Sequence, residues 1–485
     1  MVCTKKSAYS PEPPKWFPIQ ELPVELLSKI FVHCLDAGSG RDAQFTRAHS
    51  GKAPMLLTQV CSHWRRCALD TPQLWCSLEI IESNHNRHTN SGRMRARSCM
   101  NAQVAGVGEM WFSRAKALPL SIKLQTRLAL HVDNACFTTL QSYFSVCVCL
   151  YLSIHDTQWL LVLSGVTNSV LDELTLSLSR YMSGPVLGPP MHIPRLRKLT
   201  LIDHIDSMVD LLEFSPAHLE ELLWHGQMDD FTGYGSPKLP EFLRRCVSLT
   251  RCSVVVSSSH SGDTISLPKL EWLEIHAPIA ADGDINLSPF LDSLHVPSLQ
   301  NLELSWIGMM KCGTVDVHSL ITMLARSGCS LKQLTIDLKY VVCSSVAEFG
   351  TLLRAMPHLE VMKMRSHFQS LGGGDSDFGD IFHFLTFGFA GEELLPNLSE
   401  LVIVIDRELD FDEEPSTRTF EAILRSCMNA EGGRAVGVMR LRSFIRSALI
   451  ISFSNSSRTF TKWWDGGSHV MRQDGSSTVP TPVIS

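Results

Sequence analysis

A six-residue pattern returns nine times between Leu171 and Ile403: leucine, two variable residues, a second apolar residue, one variable residue, a third apolar residue. The copies begin at Leu171, Leu196, Leu219, Leu249, Leu270, Leu299, Leu331, Leu359 and Leu398. The second and third apolar positions are two apart, the period of a strand with one buried face. A single strand of this length buries too little to stand alone, so nine copies call for a stacked array. Prolines sit just before many copies, at Pro194, Pro216, Pro268, Pro297, Pro357 and Pro396. Helix-compatible stretches lie between copies, such as 319–326 and 345–356. In the latter Ser345 offers a cap, and Val346, Phe349, Leu352, Leu353 and Met356 share a face.

Within each strand the variable positions point away from the buried leucines, onto the open face of the sheet. That row begins with Lys198, Thr200, Glu221, His225 and Arg251. Its target-binding candidates are Trp272, Glu274, His276, Asn301, Glu303, Gln333, Asp337, Lys363 and Arg365. Stacked arrays bind partners on such surfaces. Trp272 leads, because tryptophan is favoured at binding hot spots; the competing reading packs it under a neighbouring loop. The charges alternate in sign and so do not reveal the charge of the target.

Residues 22–35 follow the other period. Leu22, Leu26, Leu27, Ile30, Phe31, Cys34 and Leu35 recur at three- and four-residue steps, one stripe of a helix, with Glu25, Ser28, Lys29 and His33 on the wetter side. Pro23 suits the first turn, where its missing N–H has no intrahelical partner, and Gly38 suits the end. After a polar stretch over 38–53, a second helix follows Pro54, with Leu57, Val60, Cys61, Trp64 and Ala68 on one face. Thr71-Pro72 reads as a third helix start, hydroxyl N-cap then proline, with Leu74 and Trp75 as apolar anchors. Three helices this short bury little area, which implies docking on a partner or a neighbouring domain.

Four segments in order, Leu22-Pro23-Val24-Glu25-Leu26-Leu27, Ile30-Phe31, Val60-Cys61-Ser62-His63-Trp64-Arg65 and Thr71-Pro72-Gln73-Leu74-Trp75, resemble the F-box, in the form common among mushroom-type fungi. The match covers residues 20–79, and the 38–53 connection departs from the tight turn of many F-boxes. The resemblance implies docking onto a Skp-type adaptor and, through it, onto a cullin scaffold carrying a ubiquitin-charged enzyme. Carried over by position, Leu22, Pro23, Leu26, Leu27, Ile30, Phe31, Leu57, Val60, Trp64, Leu74 and Trp75 would make the adaptor contact or its core. The repeated pattern in turn resembles the leucine-rich-repeat family, although its spacing is irregular and the usual asparagine after the strand is absent.

Composition sets limits on the rest. The chain is 44% hydrophobic and 19% charged, with a formal net charge of -6, so no global field draws it to nucleic acid or to an anionic membrane. The longest apolar runs are far shorter than a bilayer span, and the first ten residues do not read as a secretory signal. Fifteen cysteines, without C-x-x-C pairs, suit a reducing compartment, the cytoplasm or nucleus. Residues 82–105 carry Arg87, Arg93, Arg95 and Arg97, read as a solvated linker in preference to a nuclear address or a nucleic-acid patch. The Asp375, Asp377 and Asp380 stretch lacks the downstream pattern of a calcium loop, and the 410–414 acidic run reads as a solvated insertion.

No nucleophile, phosphate-loop or zinc pattern occurs. The expectation is an α+β chain without cofactor or metal. It consists of a flexible 1–19, a three-helix F-box over 20–79, a linker with a connecting helix over 80–117, an α/β leucine-rich-repeat-like solenoid over 118–450 and an unstructured 451–485. Its expected role is non-catalytic: the target-recognition subunit of a Skp–cullin–F-box ubiquitin ligase, or alternatively a protein-binding scaffold without a ligase role.

Overall fold

The computed structural model describes residues 21–35, 45–81, 103–125, 139, 141–154, 163–178, 188–202, 208–225, 238–256, 263–277, 286–306, 314–337, 341–342, 346–367, 397–406, 437–444, 446–453, 459–464 and 467–472. The expectations for 1–19, the arginine-bearing linker, the 372–380 carboxylates, the 410–414 acidic run, Ser345 and the 473–485 end lie outside these residues. The chain divides into two compact units, Met1–Leu171 and Asp172–Ser485.

The first unit begins with helices α1 (Val24–His33), α2 (Leu57–Val60) and α3 (Ser62–Leu69). The second expected helix is broken: Cys61 is extended, and its sulfur caps α3 by accepting from the Trp64 N–H. α1 packs on α3 through Leu27 and Phe31, both fully buried, with the Phe31 ring 5.0 Å from Trp64. Thr71 does not cap the turn that follows it. Its hydroxyl donates instead to Cys67 O at 2.7 Å and lies 2.9 Å from Ser28 Oγ, tying α3 to α1.

The third element is one tight 3-10 turn, Pro72–Trp75, running straight into strand β1 (Ser77–Ile81). Helix α4 (Glu109–Ala115) and strands β2 (Leu120–Gln125) and β3 (Cys147–Ile154) follow. The three strands pair in parallel, with Leu78 opposite Ile122 and Ile122 opposite Leu150. Trp75 sits edge-on to Trp111 at 4.8 Å, and the Trp111 indole donates to Ser77 O. The helices and the first strands therefore share one core. Residues 45–47 lie along the edge of β1: Glu79 N–H donates to Thr46 O at 2.7 Å, and Arg47 pairs with the Glu79 carboxylate. Part of the long connection after α1 thus satisfies backbone groups that an edge strand would leave unpaired.

The second unit holds nine strands at the nine copies of the pattern: β4 (Glu173–Leu178), β5 (Lys198–Ile202), β6 (Glu221–His225), β7 (Arg251–Val255), β8 (Trp272–Ala277), β9 (Asn301–Trp306), β10 (Gln333–Asp337), β11 (Val361–His367) and β12 (Glu400–Asp406). Each begins two residues after its leading leucine. They pair in parallel and in one register: Leu174, Leu199, Leu222, Cys252, Leu273, Leu302, Leu334, Met362 and Leu401 are Cα partners in succession. Just before each strand a carbonyl accepts two N–H groups of the next copy, as Asp172 O does from Arg197 and Lys198, and Glu271 O from Gln300 and Asn301. This main-chain ladder stacks the copies although their spacing in sequence is irregular.

Helices α5 (Leu239–Arg244), α6 (Ser288–Ser293), α7 (Val317–Ser327) and α8 (Val346–Arg354) lie between strands. Asp316 caps α7 by accepting from His318 N–H, and Gly328 ends it in the left-handed conformation that glycine adopts at least cost. After β12 the pairing changes: β14 (Arg446–Phe453) pairs antiparallel with β12, and β13 (Gly437–Phe444) pairs antiparallel with β14. The expectation of an unstructured end from 451 is corrected over 451–453, which close β14, and over β15 (Thr459–Trp464) and β16 (Gly467–Arg472), which form an antiparallel pair. Threonine and aromatic residues in Thr459-Phe-Thr-Lys-Trp-Trp464 favour a strand, a local signal that the glycine- and serine-rich composition obscured.

Candidate functional site

The helices of the first unit divide the expected adaptor residues into two groups. Leu27, Phe31, Leu57, Leu74 and Trp75 are buried and hold the unit together. Pro23 is exposed, and Leu26 at 48%, Ile30 at 42% and Val60 at 54% leave large apolar side chains in the open, joined by Val24 and Leu56. Leu22 and Trp64 are half-buried. On α1 the apolar arc is wider than packing on α3 needs: Leu27 and Phe31 face inward, while Leu26 and Ile30, one turn apart, face out. Single exposed leucines are ordinary; here Val24, Leu26 and Ile30 on α1 and Val60 on α2 are all exposed. The polar residues Glu25, Lys29 and His33 of α1 are exposed as well.

The strand face of the second unit has a different character. Its rows are set by register: Arg251, Trp272, Asn301 and Gln333 are neighbours, as are Ser253, Glu274, Glu303 and Thr335. The Arg251 guanidinium stacks 4.1 Å from the Trp272 ring centroid, so Trp272 is half-buried by a side chain of the next strand. One row on, a hydrogen-bonded cluster spans four strands. Ser253 donates to Glu274 Oε2 at 2.8 Å, and His225 Nε2 meets Ser253 Oγ at 2.8 Å. His276 Nε2 meets Glu274 Oε1 at 3.1 Å, His276 Nδ1 pairs with Ser305 Oγ, and the two imidazoles sit edge-on at 4.8 Å. Burial alone pushes the Glu274 carboxyl up, but the hydrogen bond and charge of His276, with the Ser253 hydroxyl, hold it below the ordinary glutamate value.

Ser253 and Glu274 both meet His276 on Nε2, so no chain runs through the ring to Ser253, whereas one does run from Glu274 through His276 to Ser305 on Nδ1. Both hydroxyls are buried, out of reach of a substrate. Among the described residues no group of three His, Cys, Asp or Glu side chains is arranged to hold a metal ion, and no helix is long and apolar enough to cross a membrane. The described cysteines form no disulfide with one another. Burial pushes the Cys147 and Cys252 thiols well up and Cys246 to about 12, away from the thiolate form that reacts.

No protein-family model matches this chain, and no curated protein matches it at a significant level. A role must be argued from the residues themselves.

Two of the nine target-binding candidates are not available as surface groups. His276 is 8% exposed and Asp337 3%, because period-two patterning places a side chain on a face without showing how far its neighbours cover it. Glu274, Asn301, Glu303, Gln333 and Lys363 are half-buried. Arg365 takes the register position opposite Asp337. Of the residues expected at the adaptor contact or its core, Leu74 and Trp75, like Leu27, Phe31 and Leu57, are core residues. Sequence reasoning also missed β1 as a strand, and named no copy of the pattern at β3 although the expected array covered it. The signal was present in altered form: Trp75, Pro119 and Cys147 stand where leucine leads the later copies, ahead of Leu78 and Ile80, Ile122 and Leu124, and Leu150 and Leu152.

Proposed function

We propose that the chain is an F-box protein that works as the target-recognition subunit of a Skp–cullin–F-box ubiquitin ligase, with a leucine-rich-repeat-like solenoid as its target-binding part. The observation that carries this reading is the exposed apolar set Leu26, Ile30 and Val60 on α1 and α2, at positions that match the F-box segments. A helical module needing only to pack on its own core would have no use for these side chains in water. The nine in-register strands supply the second half of the reading, a long face whose variable side chains differ from copy to copy. The mechanism is tethering: one chain holds adaptor and target together, which raises the local concentration of target lysines near the ubiquitin-charged enzyme. No bond-making residue is required of the chain itself.

The test is binding of the full chain to a purified Skp-type adaptor by biolayer interferometry. Wild type is compared with Leu26→Asp/Ile30→Asp, which alters the exposed set and spares Leu27 and Phe31. Binding by wild type and its loss in the folded double variant is expected. Equal binding by both, or none by a folded wild type, refutes the ligase reading and leaves a repeat scaffold. The full chain is used because Trp75 packs on Trp111, so a fragment ending at residue 80 would open that core.

A further inference from the structure

The geometry points to the row Arg251, Trp272, Asn301 and Gln333 as the place where the array grips an extended, carboxylate-bearing segment of its target, an inference resting on the proposal that the strand face holds the target. These four residues are successive Cα partners on β7, β8, β9 and β10. At about 4.8 Å between strands the row is about 14 Å long, the reach of four or five residues of extended chain.

The row differs from the rest of the face in what its side chains lack. Among the described residues the Arg251 guanidinium has no carboxylate or carbonyl partner; it stacks on the Trp272 ring. The carboxylates nearest along the face are already engaged. Glu221 pairs with Lys198 at 3.0 Å, and Glu274 accepts from Ser253 and lies against His276. Stacking holds the guanidinium without consuming its N–H groups, which are left to form the two-pronged pair that arginine makes with a carboxylate. Asn301 and Gln333 have no side-chain hydrogen bond among the described residues, and each carboxamide carries both a donor and an acceptor, the complement of a peptide main chain. In the rows beyond it Ser253, His276, Ser305, Thr335 and Asp337 are buried, while Glu274 and Glu303 are half-buried.

Charge selects the occupant. Trp272, Asn301 and Gln333 carry no charge, so Arg251 gives the four-residue row one positive charge; beyond its Arg251 end the register continues through Glu221, Lys198 and Glu173. An aspartate or glutamate side chain over Arg251, with the following main chain across Asn301 and Gln333, meets every unbonded group in the row.

The experiment pans a random octapeptide phage library against the full chain and measures the selected peptides by fluorescence polarisation. The expected result is enrichment of Asp or Glu at one position. Glutamine at that position, or Arg251→Gln in the protein, then weakens binding by about tenfold or more, the scale of a charge-assisted pair. Arg251→Lys recovers only part of the affinity, because lysine keeps the charge and loses the fork. The inference is overturned by selected peptides with no acidic position, by equal affinity for Arg251→Gln, by a library that yields no binder, or by binders that require phosphoserine in place of a carboxylate. Leu26→Asp/Ile30→Asp serves as the control and binds the peptides as wild type does. No adaptor binding by the folded wild type, with Arg251-dependent peptides intact, sinks the ligase reading alone; adaptor binding without Arg251-dependent peptides sinks this inference alone.

Discussion

Leu26 and Leu27 are adjacent in sequence, and the division of α1 between core and surface predicts opposite outcomes for substitutions on its two sides. Phe31, in the same inward set as Leu27, is fully buried with its ring 5.0 Å from Trp64. Truncating it to alanine removes its transfer free energy, leaves a cavity and ends a ring–ring contact, together about 3–5 kcal/mol. For a unit of 171 residues, Met1–Leu171, that corresponds to a fall in Tm on the order of 10 °C. Leu26, about half exposed, touches little that Asp would disturb, and its replacement costs less than about 1 kcal/mol, mainly helix propensity. Differential scanning fluorimetry of Phe31→Ala, Leu26→Asp and wild type measures both effects. Equal destabilisation by the two variants, or a larger effect from Leu26→Asp, would refute the inward and outward faces and with them the argument for a surface awaiting a partner.

Two further substitutions test the packing and the strand face. Asn168 is buried with all its side-chain hydrogen-bonding groups engaged, donating to Phe144 O and Cys147 O and accepting from Val170 N and Leu171 N. Asn168→Ala is expected to cost at least about 3 kcal/mol in urea unfolding, since it leaves several buried backbone groups unpaired; a loss under about 1 kcal/mol would contradict that role. Glu274 is held below the ordinary glutamate value, so its stabilising contribution is present above the unfolded pKa of about 4.3 and disappears as pH falls through the lower folded value. Urea midpoints from pH 6 down to pH 3 should show a steeper acid loss for wild type than for Glu274→Gln, and parallel curves would remove the charge from the cluster's account.

How far the sequence carried the reading differs between the two units for a physical reason. In Asp172–Ser485 the strand period and the leading leucine act together, and each strand starts two residues after that leucine. In the first unit the same architecture is written with Trp75, Pro119 and Cys147 in the leading place, so a leucine template passes over β1 and β3 while their apolar pairs remain. Helical spacing placed Leu22, Leu26, Leu27, Ile30 and Phe31 on one stripe but did not separate those facing α3 from those facing water, because that depends on how α3 sits against α1. The strand face was legible as a set of positions, not as a network. That Ser253, Glu274 and His276 satisfy one another while Arg251 stays unbonded depends on side-chain directions across four strands.

Amide hydrogen exchange of the full chain, with and without a Skp-type adaptor, tests the central claim most directly. The account predicts new protection over residues 23–33 and 56–64, with Leu26→Asp/Ile30→Asp abolishing it and the strands of Asp172–Ser485 unchanged. Protection confined to those strands, or no change anywhere in a folded chain at saturating adaptor, would contradict it.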